Sequence, residues 1–236
     1  MLVKSVRAFD KTLDVVAIIF FLLLLFIGMY SLLDNLWLYD NATDETLLHY
    51  KPELNEPLTE EKLITENQVA WISLYATDID YPIMQAEDNV EYLNKNPYGE
   101  FSLSGSIFLD SRNSADFKDP ISLVYGHHME HGAMFGALDE YADKTYFDGH
   151  RNGTLSTTTD VFQIEIFVAI SDSALNDILF NPYDHTREEL IDYLKMNAVN
   201  FDAPAENRPI LILSTCAGSA DVSRFLVIGT LSGGAG

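Results

Sequence analysis

The chain of 236 residues has a single cysteine, Cys216. One thiol cannot close an internal disulfide, so no cross-link framework holds this fold and a buried core must. Basic residues are scarce, 14 Lys and Arg against 36 Asp and Glu, for a net charge of −22. That charge repels a phosphate backbone, so no nucleic-acid partner is expected, and attraction to an anionic membrane surface is disfavoured too. Internal repeats and low-complexity segments are lacking. What remains is a hydrophobic content of 47%, ordinary for a globular protein, on a length that suits one good-sized domain or two small ones.

The charge is unevenly placed. Residues 1–14 carry Lys4, Arg7 and Lys11 against Asp10 and Asp14, a small positive excess before an acidic remainder. Between them runs VVAIIFFLLLLFIGMYSLL, Val15 to Leu33, 19 residues without a charge. Roughly 20 apolar residues in a helix cross the hydrocarbon core of a bilayer. A buried core helix and a cleaved signal peptide are the alternatives. Nothing polar interrupts the run, it exceeds the usual signal-peptide length, and no small-residue cleavage site follows. Trp37 and Tyr39 instead suit an interfacial aromatic belt. The expectation is an uncleaved single-pass anchor at 15–33, with residues 1–14 cytoplasmic and the acidic remainder outside the cell. An unpaired thiol there is unusual, since extracellular thiols are commonly paired. Cys216 is therefore a reactive group, an intermolecular bridge or an inert buried thiol.

Residues 34–68 read as a stalk with a short helix in PLTEEKLITENQ, Thr59 serving as N-cap. From Val69 the texture is strand-like. VAWISLY, YPIMQ, GSIFLD, ISLVYG, VFQIEIFVAI, PILILST and FLVIGTL are short β-branched, aromatic and aliphatic runs, most of them bounded by turn residues. They predict a mainly β, mostly antiparallel barrel or sandwich. Two helices interrupt it, a short one in MFGALDEYAD and a clearer one in DHTREELIDYLKMNAVNF. The latter has a Thr186/Glu189 capping box and an apolar face of Leu190, Ile191, Leu194 and Ala198. The GGAG tail should fray.

Chemistry-bearing residues fall at strand ends. One strand ends at Gly126 and meets His127, His128 and His131; another ends in LSTC. A cysteine nucleophile acts as thiolate and needs a proton carrier, for which histidine is suited near neutrality. Acyl transfer also needs a donor aimed at the oxyanion, and Arg224 is permanently charged. If CAGSADVS joins adjacent strands, Cys216 and Arg224 stand side by side at its ends; the bland alternative pairs Arg224 with Asp221. A metal site is not expected, because HHMEH lacks the H-E-x-x-H pattern and Gly132 follows at once. His49, His150 and His185 should simply face solvent.

The ordered set VAWISLYATDIDYPIMQAEDNVEYLN, YGEFSLSGSIFLD, VYGHHMEHGAMFGALDEYADKTYFDGH and LSTC resembles the sortases, and most closely class B. The match spans about Val69 to Leu231. The resemblance implies a closed eight-stranded β-barrel with added helices as the catalytic domain, 69–231, with a tail at 232–236. It implies a cysteine transpeptidase with Cys216 as nucleophile, His127 as general acid/base and Arg224 as oxyanion stabiliser. Cys216 would cleave a C-terminal sorting signal of secreted proteins after Thr, through a thioacyl-enzyme. The acceptor would be an amine of the peptidoglycan cross-bridge or a pilin lysine. No cofactor is implied. Asn89 and Leu93 align with groove residues of class B, and Ser214 and Thr215 flank the nucleophile as further substrate contacts. The Cys-to-Arg interval is shorter than in some class B members, and the third partner of His127 is left open. Two rivals stand beside this reading. A Cys/His cell-wall peptidase usually places its cysteine before the histidine. A membrane-tethered binding module would carry an inert thiol.

Overall fold

The computed structural model describes residues 2–42, 45–129, 132–181, 183–205, 207–216 and 222–234. The chain divides into two units, Met1–Asn41 and Ala42–Gly236. The first is occupied by helix α1 (Leu2–Ala42), which continues past the charge-free run without a break. Its segment Leu13–Leu33 has a mean hydropathy of 2.8 and none of it is buried. A helix apolar on every face and exposed throughout is long enough to cross a bilayer. The side chains of Trp37 and Tyr39 lie outside the described residues.

The described residues of the second unit form nine strands: β1 (Gln68–Leu74), β2 (Asp80–Met84), β3 (Ile107–Leu109), β4 (Ile121–His127), β5 (Asn152–Thr157), β6 (Val161–Ser173), β7 (Asn200–Phe201), β8 (Ile210–Cys216) and β9 (Ser223–Gly233). Their order is β5-β1-β2-β3-β4-β8-β9-β6-β7, and β5 also pairs with β6. That last pairing closes eight strands into a barrel and leaves β7 as an appendage on β6. The closed eight-stranded barrel expected from the family resemblance is thus the observed fold. Two of its pairings, β2–β3 and β4–β8, are parallel, so the barrel is mixed.

Alternation along the strands fills the interior. Ala70, Ile72 and Leu74 of β1, Leu211 and Leu213 of β8, and Val227 and Leu231 of β9 share one buried cluster. The intervening Ile210, Ile212, Leu226 and Ile228 point outward, yet they are also buried, under Leu190 and Leu194. Those two leucines belong to helix α4 (Arg187–Asn197). A strand covered on both faces reads as a continuous apolar run, which explains PILILST. In β6 the register shifts between Ile166 and Val168. That bulge switches which residues face inward.

Helix α4 starts as anticipated: Thr186 and Glu189 exchange both capping-box hydrogen bonds. Other local expectations are overridden by packing. Thr59 caps no helix with its side chain, and only the 3-10 turn Glu60–Lys62 follows it. Leu58 is buried with Leu47 against the outer side of Trp71, where Leu63 and Ile64 also pack, and the chain straightens to reach that contact. Residues 45–68 therefore lie on the barrel wall. MFGALDEYAD forms a 3-10 stretch, Phe135–Ala142, followed by helix α2 (Lys144–Gly149), which is capped by Asp143. A four-residue helix, α3 (Asp177–Phe180), precedes α4. β9 runs on to Gly233, paired with Phe162, so Ser232 and Gly233 are ordered sheet; residues 235–236 lie outside the described residues.

Candidate active site

The parallel pairing of β4 with β8 decides where the chemistry can sit. In a parallel pair both strands end at the same rim. The register sets His127 directly beside Cys216, after Ile121 beside Ile210 at the opposite end. Two residues 89 positions apart in the sequence thereby share one rim. β9 runs antiparallel to β8, with Ser214 opposite Leu226. That is the last pair of the register, and Arg224, two residues before Leu226, lies near the start of β9 at the same end. The three expected residues thus come from three consecutive strands at one end of the barrel.

Local sequence holds this rim together. The hydroxyl of Thr215 accepts a hydrogen bond from the Phe225 amide, 3.0 Å away. Ser214 is fully buried and donates to the Thr215 carbonyl at 3.2 Å. Both hydroxyls, expected beside a substrate, are engaged with backbone inside the β8–β9 edge, and neither residue lines the cleft described below. Gly126, between Tyr125 and His127, is required by close packing: a Cβ there would stand 2.4 Å from Ile107 Cδ1 and 2.7 Å from the Phe135 ring.

His127 has a backbone partner. Its Nε2 lies 2.7 Å from the carbonyl oxygen of Leu93. A carbonyl can only accept, so Nε2 carries a hydrogen and Nδ1 is the nitrogen left to exchange a proton. The ring's hydrogen-bond partner is thus the main chain of Leu93, which no side-chain motif could reveal. Gly105, at φ +59°, lies within 2.9 Å of His127 Cδ2, measured from where its Cβ would be.

A cleft of about 240 Å³ opens beside the rim. Asn89, Leu93, Phe108 and Tyr125 line it from the 89–93 turn, β3 and β4, while Ala174, Phe180 and Arg224 line it from the β6–α3 connection, α3 and β9. Arg224 donates to the Ser223 carbonyl at 3.0 Å. Asn89 and Leu93 are the groove residues expected here; Phe108, Tyr125, Ala174 and Phe180 join them without having been singled out. Tyr125 begins the Y-G-H triplet and could have been found from it. Ala174 and Phe180 carry no chemical signal, and only the fold brings them in. A larger cavity of about 530 Å³ lies between residues 51–55 and the outer faces of β1, β2 and β5, and none of the expected site residues lines it.

The cleft wall rests on Asp110, whose carboxylate is completely buried. Burial alone would raise its pKa; the hydrogen bonds and charge of Arg112, with the Tyr125 hydroxyl, outweigh it and hold the carboxyl below its ordinary value. The remaining histidines are placed as follows. His128 pairs with Asp139 at 2.7 Å. His150 does not merely face solvent: it stacks on Tyr146 at 3.8 Å between centroids and bonds its carbonyl. His185 likewise has a partner, Asp177, at 3.0 Å. His131 and residues 217–221, including Asp221, lie outside the described residues.

A family model described as the sortase domain matches residues 72–232. The chain is 28% identical over 206 residues to sortase B of Listeria monocytogenes, covering 79% of this chain and 83% of that one. It is similar to the crystal structure of a Streptococcus pyogenes class B sortase involved in pilus biogenesis, with 38% identity, a TM-score of 0.67 and coverage of 72% of this chain and 94% of that one. It is also similar to Staphylococcus aureus sortase B, at 25% identity and a TM-score of 0.71, covering 80% and 94% of the two chains.

Proposed function

The chain belongs to the sortase family, among class B relatives, and is a cysteine transpeptidase; from that premise we propose that Cys216, His127 and Arg224 carry out the transfer of secreted proteins from a C-terminal sorting signal to an amine. The Cys216 thiolate attacks the carbonyl carbon of Thr in the sorting signal. Negative charge develops on the carbonyl oxygen, where the Arg224 guanidinium and a backbone N–H offset it. His127 gives the proton on Nδ1 to the departing amine, the C–N bond breaks, and a thioacyl-enzyme results. An incoming amine then attacks the thioester, His127 takes its proton back, and Cys216 leaves as thiolate. Leu93 contributes twice: its carbonyl fixes the imidazole tautomer, and its side chain with Asn89 faces the peptide.

The observation that carries this reading is the register of β4 and β8, which sets His127 beside Cys216. The acceptor is a pilin lysine or the amine of a peptidoglycan cross-bridge. Involvement of the Streptococcus pyogenes relative in pilus biogenesis supports the former, and the complex of a sortase B with triglycine supports the latter. Residues 15–33 anchor the enzyme with its N-terminus in the cytoplasm and its catalytic unit outside. The anchor raises the local concentration of enzyme where exported proteins and acceptors meet.

The test is to incubate the full chain in detergent micelles with a library of sorting peptides and two acceptors, triglycine and a lysine-bearing pilin peptide. A ligated product that disappears in Cys216→Ala is expected, and the preferred acceptor separates wall anchoring from pilus assembly. No product with either acceptor, or product surviving in Cys216→Ala, would sink the assignment.

A further inference from the structure

Three of the residues that line the cleft are tied to one ion pair, the buried carboxylate of Asp110 with the partly exposed guanidinium of Arg112. Asp110 follows directly on β3 and is 0% exposed. Its Oδ1 accepts from the Arg112 amide at 2.9 Å and from Arg112 Nε at 2.8 Å. Its Oδ2 accepts from Arg112 Nη2 at 2.8 Å, from Asn89 Nδ2 at 3.0 Å and from the Tyr125 hydroxyl at 3.0 Å. Asn89 is held at its other end too, its Oδ1 accepting from the Ser111 amide at 2.7 Å. Arg112 then reaches the facing wall: Nη2 also donates to the carbonyl of Phe180 at 2.8 Å. A second bond runs back, from the Tyr183 hydroxyl to the Arg112 carbonyl at 2.6 Å.

The ion pair therefore bonds Asn89 and Tyr125 on one wall and Phe180 on the other. The far wall is held by this tie together with packing, Leu179 being buried in the outer cluster with Ile178 and Phe180 against it. Phe180 ends the four-residue helix α3, in an excursion from β6 to α4 that adds no strand to the sheet. A helix this short does not hold itself in place. Only a guanidinium suits the task, since its fork meets both carboxylate oxygens and keeps a hydrogen for the carbonyl.

We propose that Asp110 and Arg112 are positioning residues for the sorting peptide, setting the gap between the Asn89–Tyr125 wall and the Phe180 wall so that the cleft is formed before the peptide arrives. This rests on the transpeptidase reading above. His127 is oriented separately, by the Leu93 carbonyl, so loss of the brace acts on peptide capture and specificity. A cleft that must be ordered on binding costs affinity.

The experiment compares the full chain in detergent micelles with Arg112→Gln and Arg112→Lys, measuring KM and kcat for the preferred peptide and the rate of Cys216 alkylation by iodoacetamide. Arg112→Gln is expected to raise KM about tenfold with kcat within about twofold and an unchanged alkylation rate. Arg112→Lys, which keeps charge without the fork, should raise KM by about threefold. Across a peptide panel, preference for the best sequence should flatten in both. If Arg112→Gln does not fold, the lysine variant carries the comparison. A wild-type KM in a variant with normal alkylation, or a loss confined to kcat, overturns the proposal. The comparison is a ratio to the unmodified chain; absence of turnover in that chain refutes the transpeptidase reading instead.

Discussion

Gly105 makes the sharpest case for how backbone geometry governs this site. Its φ is +59°, a left-handed conformation that costs an L-residue about 1–2 kcal/mol. Alanine there would also bring a Cβ to 2.6 Å from the Tyr92 carbonyl oxygen and 2.7 Å from that of Leu93. These are backbone atoms, and the Tyr92 oxygen already accepts from the Ser106 amide at 3.0 Å. The 92–93 turn must shift as a unit, and the Leu93 carbonyl then leaves His127 Nε2, now 2.7 Å away. Loss of that hydrogen bond adds about 0.5–1.5 kcal/mol. The total for Gly105→Ala is about 2–3 kcal/mol, equivalent to a Tm lower by about 5–10 °C in a domain of this size. Activity should suffer more than stability. A proton carrier displaced by about 1 Å costs on the order of 100-fold, and the loss should appear in kcat. Circular dichroism melting and steady-state transpeptidation read the two effects. A variant with lowered Tm and wild-type kcat would refute the role given to the Leu93 carbonyl; a variant normal in both would refute the strain argument.

Two further outcomes follow from the charged groups. Asp110→Asn should lose about 1.5–3 kcal/mol at neutral pH, the effect of losing hydrogen bonds to a charged group, since the Arg112 left behind is 42% exposed and can be hydrated. Because the folded pKa of Asp110 lies below its ordinary value, its stabilisation is complete above about pH 5 and fades as pH falls below about 4 and through the folded pKa. Urea unfolding at stepped pH checks this, and a gap between variant and wild type already closed at pH 5 contradicts it. Asp172 stands opposite Arg224 in the β6–β9 register, but its Oδ2 is held by the Tyr193 hydroxyl at 2.5 Å and by Asn176 Nδ2 at 3.1 Å. Tyr193→Phe should leave that oxygen held by Asn176 alone and better able to draw the guanidinium away, lowering kcat by about tenfold, a partial loss beside the roughly 100- to 1,000-fold for removing an oxyanion donor outright. Adding Asp172→Asn should restore the rate; no recovery in the double variant speaks against this competition.

How much is legible in the sequence depends on whether a signal is local. The capping box of α4 and the seven apolar strand runs can be read directly because residue periodicity and hydrogen-bond caps act within a few positions. β5, NGTLST, escapes such a reading for a physical reason: it is polar, yet Thr154 and Ser156 are buried in the fold. They line the cavity beneath residues 51–55, and no pattern in a strand announces a cover supplied from far earlier in the chain. Asp110 is visible as the end of GSIFLD, but its bonds to Asn89, Tyr125 and Arg112, and through Arg112 to Phe180, are not, since these walls arrive from different elements.

Composition and order of residues alone determined the charge-free helix at the N-terminus, the mainly β character of the rest, and the chemical types available at two strand ends. Only the tertiary structure decided that those ends meet. His127 and Cys216 share a rim because β4 and β8 run parallel, and strand direction is set by how the whole chain between them crosses and packs. The tautomer of His127 was likewise beyond any motif, because its partner is a main-chain carbonyl whose position depends on a left-handed glycine further along the chain.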